Sequence, residues 1–157
     1  MSLELRPVVP GDESYLYRIA YERFFEELRA DLWPPGTAEP LLKLQVEGQR
    51  TSYASAFPNA DHGIIMLYGQ PAGRLLMDRG PQVHHIVDIL VAKEYRGKGV
   101  GTAILRAVCI EADLLHKAVR LYVGVNSRAA GLYQRLGFHV IDTIQDRWLL
   151  EHLPGAA

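Results

Sequence analysis

The stretch Arg96-Gly97-Lys98-Gly99-Val100-Gly101 constrains the fold of this chain more than any other. It follows an apolar, strand-like run, Ile86-Val87-Asp88-Ile89-Leu90-Val91, and leads directly into a helical pattern. A strand that turns through glycines into a helix aims backbone amides at one point. No side chain holds a ligand away there, and the first N–H groups of the helix lack intrahelical partners. The helix macrodipole favours an anion at the same place, and Arg96 and Lys98 add positive charge. The segment reads as a phosphate site in an α/β fold.

Two nucleotide motifs fit it poorly. A P-loop would follow Gly97-Lys98 with a Ser or Thr whose hydroxyl holds magnesium, and Gly99 stands there instead. The dinucleotide fingerprint spaces its glycines differently from Gly97, Gly99 and Gly101, and asks for an acidic residue where this chain has Arg120 and Leu121. A nucleotide-binding regulator is therefore a minor reading.

The pattern that does fit is Arg/Gln-x-x-Gly-x-Gly/Ala, filled by Arg96, Gly99 and Gly101. A second segment, Asn126-Ser127-Arg128-Ala129-Ala130-Gly131-Leu132-Tyr133-Gln134-Arg135-Leu136-Gly137-Phe138, matches Asn-x-x-Ala-x-x-x-Tyr-x-x-x-Gly-Phe. With both motifs, in this order and separated by one helix and one strand, the chain resembles the GNAT superfamily of N-acetyltransferases. The resemblance runs from residue 83 to 148; the N-terminal half matches only in layout.

Periodicity predicts a strand over residues 3–8, helices over 12–29 and 38–57, and a meander of strands over 63–68, 71–78 and 83–92. A helix from the glycine loop to Leu115 leads to a strand over 119–125, parallel to the one before it because a helix crossover joins them. Asn126 or Ser127 caps a short helix through Leu136, stopped by Gly137, and strands over 138–144 and 147–152 close the chain. The fold class expected is α/β (α+β): a GNAT-like, mostly antiparallel central sheet of roughly seven strands, splayed at the middle, with helices on both faces.

The resemblance implies an acetyl-CoA cosubstrate and a direct transfer to a primary amine in a ternary complex. Its pyrophosphate would rest on Gly97, Lys98, Gly99, Val100, Gly101 and Thr102, beside Arg96. Its pantetheine arm would lie along Ile89, Leu90 and Val91 as a pseudo-strand, with Asn126 in contact and the Leu90 N–H polarising the thioester carbonyl. Tyr133 falls at the position of the family's general acid and coenzyme contact. Some relatives carry a glutamate on the strand before the asparagine, but here that strand reads Leu121-Tyr122-Val123-Gly124-Val125. The base is left open among Asp88, acting through water, His84, His85 and water itself. For Asp88 a buried carboxylate that merely accepts hydrogen bonds is an equal reading. The missing carboxylate also keeps alive a rival class, an acyl-CoA-binding sensor or scaffold with little turnover.

The histidines at 62, 84, 85, 116, 139 and 152 lack the spacing of a helical metal site, and Cys109 has no cysteine partner, so no metal is expected. Cys109 sits among apolar helix residues and reads as packing rather than as an acyl carrier. The layout makes Phe24, Phe25, Trp33, Gln45, Arg50 and Tyr53 candidates to line the acceptor cleft. Glu26, Glu27 and Asp31 would attract a cationic amine, although a solvated helix face is the commoner meaning of such charges. The acceptor, small molecule or peptide, is not chosen by the sequence.

At 157 residues, 48% hydrophobic and 22% charged, the chain is expected to form one domain, residues 1–157. A net charge of -1 gives no general attraction for nucleic acid, and the apolar runs are too short for a membrane span. A lone cysteine excludes an intrachain disulfide and suits a cytoplasmic location. A homodimer is compatible with all of this.

Overall fold

A computed structural model describes residues 1–127 and 129–155. The strands are β1 (Leu3–Pro7), β2 (Asp61–Leu67), β3 (Gln70–Arg79), β4 (Val83–Val91), β5 (Ala118–Gly124), β6 (His139–Ile144) and β7 (Arg147–His152). The helices are α1 (Glu13–Glu27), α2 (Ala38–Ala56), α3 (Val100–Leu114) and α4 (Ala130–Arg135). They form one seven-stranded sheet in the order β1-β2-β3-β4-β5-β7-β6. Among the described residues only β4 and β5 run parallel, and every other neighbouring pair is antiparallel. The expected mixed sheet is present, and among the described residues no helix is long and apolar enough to cross a membrane.

The larger core lies between the sheet and α3. Val100, Ile104, Leu105, Val108, Cys109 and Ala112 recur at helical spacing and pack on Ile86, Val119 and Leu121. On the other side, Ile19 of α1 packs against Leu90 and Ala92. At the start of α1, Asp12 accepts hydrogen bonds from Arg6 Nη1 and Nη2, both at 2.8 Å, and from the Val9 N–H at 2.9 Å. That carboxylate ties the helix to the end of β1.

A bulge in β4 decides which residues reach which face. The β3 register steps from Leu76 opposite Asp88 to Met77 opposite Ile86, leaving Val87 as the extra residue. Below the bulge His84 and Ile86 face α3; above it Asp88 and Leu90 face α1, while Ile89 and Val91 turn toward the α3 core. Without the extra residue the alternation of side chains would carry Asp88 to the opposite face.

The short helix α4 differs from expectation. Ala129 is its cap residue, not Asn126 or Ser127; Ser127 Oγ instead accepts the Ala129 N–H at 3.2 Å, while Arg128 lies outside the described residues. Its C-terminal end follows the expected rule. Gly137 has φ +92°, its N–H donates to Gln134 O and the Phe138 N–H to Tyr133 O, each at 3.1 Å. This turn closes directly behind Tyr133 and sets Phe138 edge-on to its ring at 5.7 Å.

Candidate functional site

Pairing between β4 and β5 is confined to Val83–Ile86 against Ala118–Leu121. Beyond it β4 stays with β3 and β5 with β7, so the two strands part and leave facing edges without a strand partner. A cleft of about 810 Å³ opens there, lined on the β4 side by Ile89, Leu90 and Val91, on the β5 side by Tyr122–Asn126, and by Tyr133.

Strand geometry corrects the expectation for Leu90. The Ala92 N–H donates to Ala72 O at 2.8 Å, and hydrogen-bonded pairs alternate along an antiparallel ladder. Arg74 opposite Leu90 is therefore the next such pair, and the Leu90 N–H turns toward β3. The amides of Ile89 and Val91 are the ones that face the splay. Gly73 holds this register: a Cβ there would collide with the Leu90 carbonyl oxygen.

The glycine loop meets the end of β4. Gly97 and Gly99 have φ +73° and +81°, and Gly99 immediately precedes α3, so the turn needs residues that tolerate left-handed backbone. A Cβ on Gly101 would lie 3.7 Å from Val91 Cγ2, which puts the first turn of α3, with Val100, Gly101 and Thr102, against the last residue of β4. The two cations of the loop are both engaged. Arg96 Nη1 bonds Glu26 Oε2 at 2.7 Å across the cleft mouth, and Lys98 Nζ lies 5.7 Å over the Tyr95 ring.

Asp88 occupies the α1 side of the splay with its carboxylate buried. Arg23 Nη1 and Nη2 reach its two oxygens at 2.7 and 2.9 Å, and Arg74 donates through Nε at 3.0 Å and Nη2 at 2.5 Å. Burial raises the carboxyl's pKa, but the two guanidiniums outweigh it and hold the group below the ordinary carboxylate range. Arg23 and Arg74 escaped the sequence reading. Arg74 left a signal, as the one charge in the apolar run Ala72–Met77, facing the one charge of Ile86–Val91; Arg23 left none, being one of several charges on α1.

The two adjacent histidines are separated by the sheet. His84 is fully buried on the α3 side, its Nε2 3.0 Å from Glu111 Oε2. His85 lies on the α2 side, stacked on Phe57 at 5.2 Å and edge-on to Tyr122 at 5.7 Å. Burial lowers its pKa, which keeps the imidazole neutral near pH 7. Tyr133 is only 7% exposed, and burial, with a smaller push from Asp88, raises its phenol to about 12. The Cys109 thiol is buried and raised to about 11.

The acceptor side differs from the expected set. Helix α1 presents Arg23, Glu26 and Glu27 to the cleft, whereas Phe24, Phe25, Trp33, Gln45 and Tyr53 do not line it. Arg50 lines a separate cavity, and Asp31 is paired with Arg29. Asp146, in the β6–β7 turn, supplies a further carboxylate on the cleft wall.

Comparison with known proteins places this geometry. Residues 58–140 match the model of the acetyltransferase (GNAT) domain family. An N-alpha-acetyltransferase of Sulfurisphaera tokodaii is 31% identical over 104 residues, a match that takes in 64% of this chain but 57% of that relative's length. Among solved structures, the PaiA N-acetyltransferase of Thermoplasma acidophilum, in complex with coenzyme A, superposes with TM-score 0.70 at 18% identity, covering 98% of this chain and 99% of that one. The ribosomal-protein-S18-alanine N-acetyltransferase of Escherichia coli gives 0.66 at 17% identity, over 99% and 96% of the two chains.

Proposed function

The chain belongs to the acetyltransferase (GNAT) family, and from that premise we propose that it transfers an acetyl group from acetyl-CoA to a primary amine by direct attack. The observation that carries this reading is the splay itself, where the unpaired edge at Ile89 and Val91 faces the same cleft as Tyr133. Acetyl-CoA supplies a thioester carbonyl for the amine to attack and a thiol as leaving group.

The residues present fit that cosubstrate. The N–H groups of Ile89 and Val91 suit an amide-bearing arm laid beside β4 as an extra strand. The Ile89 N–H, rather than that of Leu90, is the donor for the thioester oxygen. The amides of Gly97 to Thr102 suit a pyrophosphate, and releasing Arg96 from Glu26 would bring a guanidinium to it. Asn126 lines the cleft beside the arm.

Tyr133 holds the proton destined for the departing sulfur. A phenol raised to about 12 stays protonated in the free enzyme, the state an acid requires. Asp88 is poorly suited to the base role, because both oxygens are taken and its pKa is lowered. His84 faces the wrong side of the sheet. His85 is left of the side-chain candidates: neutral and against Tyr122 of the cleft wall, it accepts the amine proton through a water. Cys109, buried in the α3 core with its thiol raised, is unsuited to carry an acetyl group.

Glu27 and Asp146 on the cleft wall favour a cationic acceptor. The name of the Sulfurisphaera relative directs the first screen to peptide α-amines, with polyamines and amino sugars beside them. Thiol release is the assay. Tyr133→Phe should lower kcat by about 100-fold with coenzyme A affinity unchanged, and His85→Gln should remove the acid limb of the pH–rate profile. Coenzyme A binding with no turnover across that screen would replace the enzyme by an acyl-CoA sensor.

A further inference from the structure

A second cavity of about 330 Å³ lies under α1 and α2, on the far side of the Asp88 cluster from the acetyl-transfer cleft. Its walls are apolar, from Val9, Leu16, Ala20 and Val46. Its polar groups are Arg74, Gln49 and His62, with Glu13, Glu47 and Arg50 among the exposed residues at its opening.

The charge balance there is incomplete. Arg23 and Arg74, with 15% and 10% of their side chains exposed, share one carboxylate, Asp88. Gln49 Oε1 accepts from both guanidiniums, at 3.1 and 3.3 Å, which adds a dipole but no charge. Arg23 borders the open cleft beside Glu27, so the shortfall of negative charge falls on Arg74, the buried cation of the two, a costly arrangement away from water. Arg74 spends Nε and Nη2 on Asp88 and Gln49, while its Nη1 makes no hydrogen bond among the described residues. His62 Nε2, which lines the same cavity, is buried without a partner among the described residues. At the opening Arg50 is neutralised by Glu13 at 2.9 Å, and Glu47 is the one carboxylate of the lining with no ion pair among the described residues.

We propose that this cavity is a binding site for a small monocarboxylate with an apolar body, its carboxylate on Arg74 and His62 and its body against Val9, Leu16 and Val46. A fully apolar ligand would leave Arg74 Nη1 and His62 Nε2 without acceptors, and a large anion would not fit a volume near the lower limit of ligand pockets. Glu47 disfavours a second negative charge at the opening, which restricts the class to monoanions.

Phenylacetate is a suitable probe, with phenylacetamide as the neutral isostere and phenethylammonium as the cation. Calorimetry on the full chain should find phenylacetate binding in the millimolar range or tighter, at least tenfold tighter than either control. In a ¹H–¹⁵N titration the shifts should concentrate at His62, Arg74 and Gln49. Arg74→Met should abolish binding, and Val9→Trp should weaken it several-fold while coenzyme A still binds, which certifies the fold. Equal binding of the amide, preference for the ammonium, shifts confined to the Tyr133 cleft, or no binding of phenylacetate at all would each overturn the proposal.

Discussion

Two ionic clusters flank β4 on opposite faces of the sheet. On the α1 side Asp88 lies between Arg23 and Arg74, with Asp88 and Arg74 buried and Arg23 15% exposed at the cleft; on the α3 side Glu111 joins Arg79 and His84, with Glu111 41% and Arg79 34% exposed. Both bring guanidinium to carboxylate within hydrogen-bond distance, yet the second is far more open to water. Pairing is therefore not what makes a charge consequential here. Exposed pairs are screened and replaceable, whereas a buried pair penalises whatever is left behind when one partner goes. The Val87 bulge is what assigns Asp88 to the buried cluster, beside the cleft.

The largest test of that contrast is Asp88→Asn, which leaves the buried Arg74 and the partly buried Arg23 without their counter-ion. It should cost about 3 kcal/mol or more, read from urea denaturation at pH 7. A loss under about 1 kcal/mol would make the two clusters equivalent.

Acid sharpens the comparison next. His62, His84 and His85 all have pKa values lowered, chiefly by burial, so the unfolded chain binds more protons than the native one below about pH 6.5. Stability is then full above that pH and falls as the pH drops toward the folded values. Asp88, with its pKa lowered, contributes stability above the unfolded value of about 3.9 and loses it only under stronger acid. Thermal unfolding between pH 7 and 5 should thus show a declining Tm in the native chain, less steep in His84→Asn. Asp88→Asn should lower Tm across that whole range, the loss changing with pH only through His62, whose pKa the Asp88 charge raises.

The smallest effect is expected from Glu111→Gln, under about 1 kcal/mol because its partners remain hydrated or neutral. Acetyl transfer, if detected, should be unaffected, since this residue faces away from the cleft. A large kinetic effect would show that the sheet does not insulate the two faces.

Much of the architecture was legible because it rests on local rules. Strand, glycine turn and helix follow one another between Ile86 and Leu114, and backbone conformation at Gly99 and Gly137 depends on their missing side chains alone. The same locality brought Tyr133 into view through its spacing from Asn126. The α1 side of the cleft was only partly legible: Glu26 and Glu27 were candidates, but the face carrying them and Arg23 looks like any solvated helix surface until a second wall stands opposite.

The order of elements, the glycine turns at Gly99 and Gly137 and the two motifs that tie the chain to its family were readable in the sequence, since each depends on residues adjacent in the chain. Three features came from the assembled sheet: Ile89 rather than Leu90 offers its N–H to the splay, Asp88 is bound by Arg23 and Arg74, and His84 rather than His85 takes the α3 face. Hydrogen-bond direction and facing in a strand invert with a shift of one residue. That shift is set by the neighbouring strand and by the bulge at Val87, which no periodicity within β4 records.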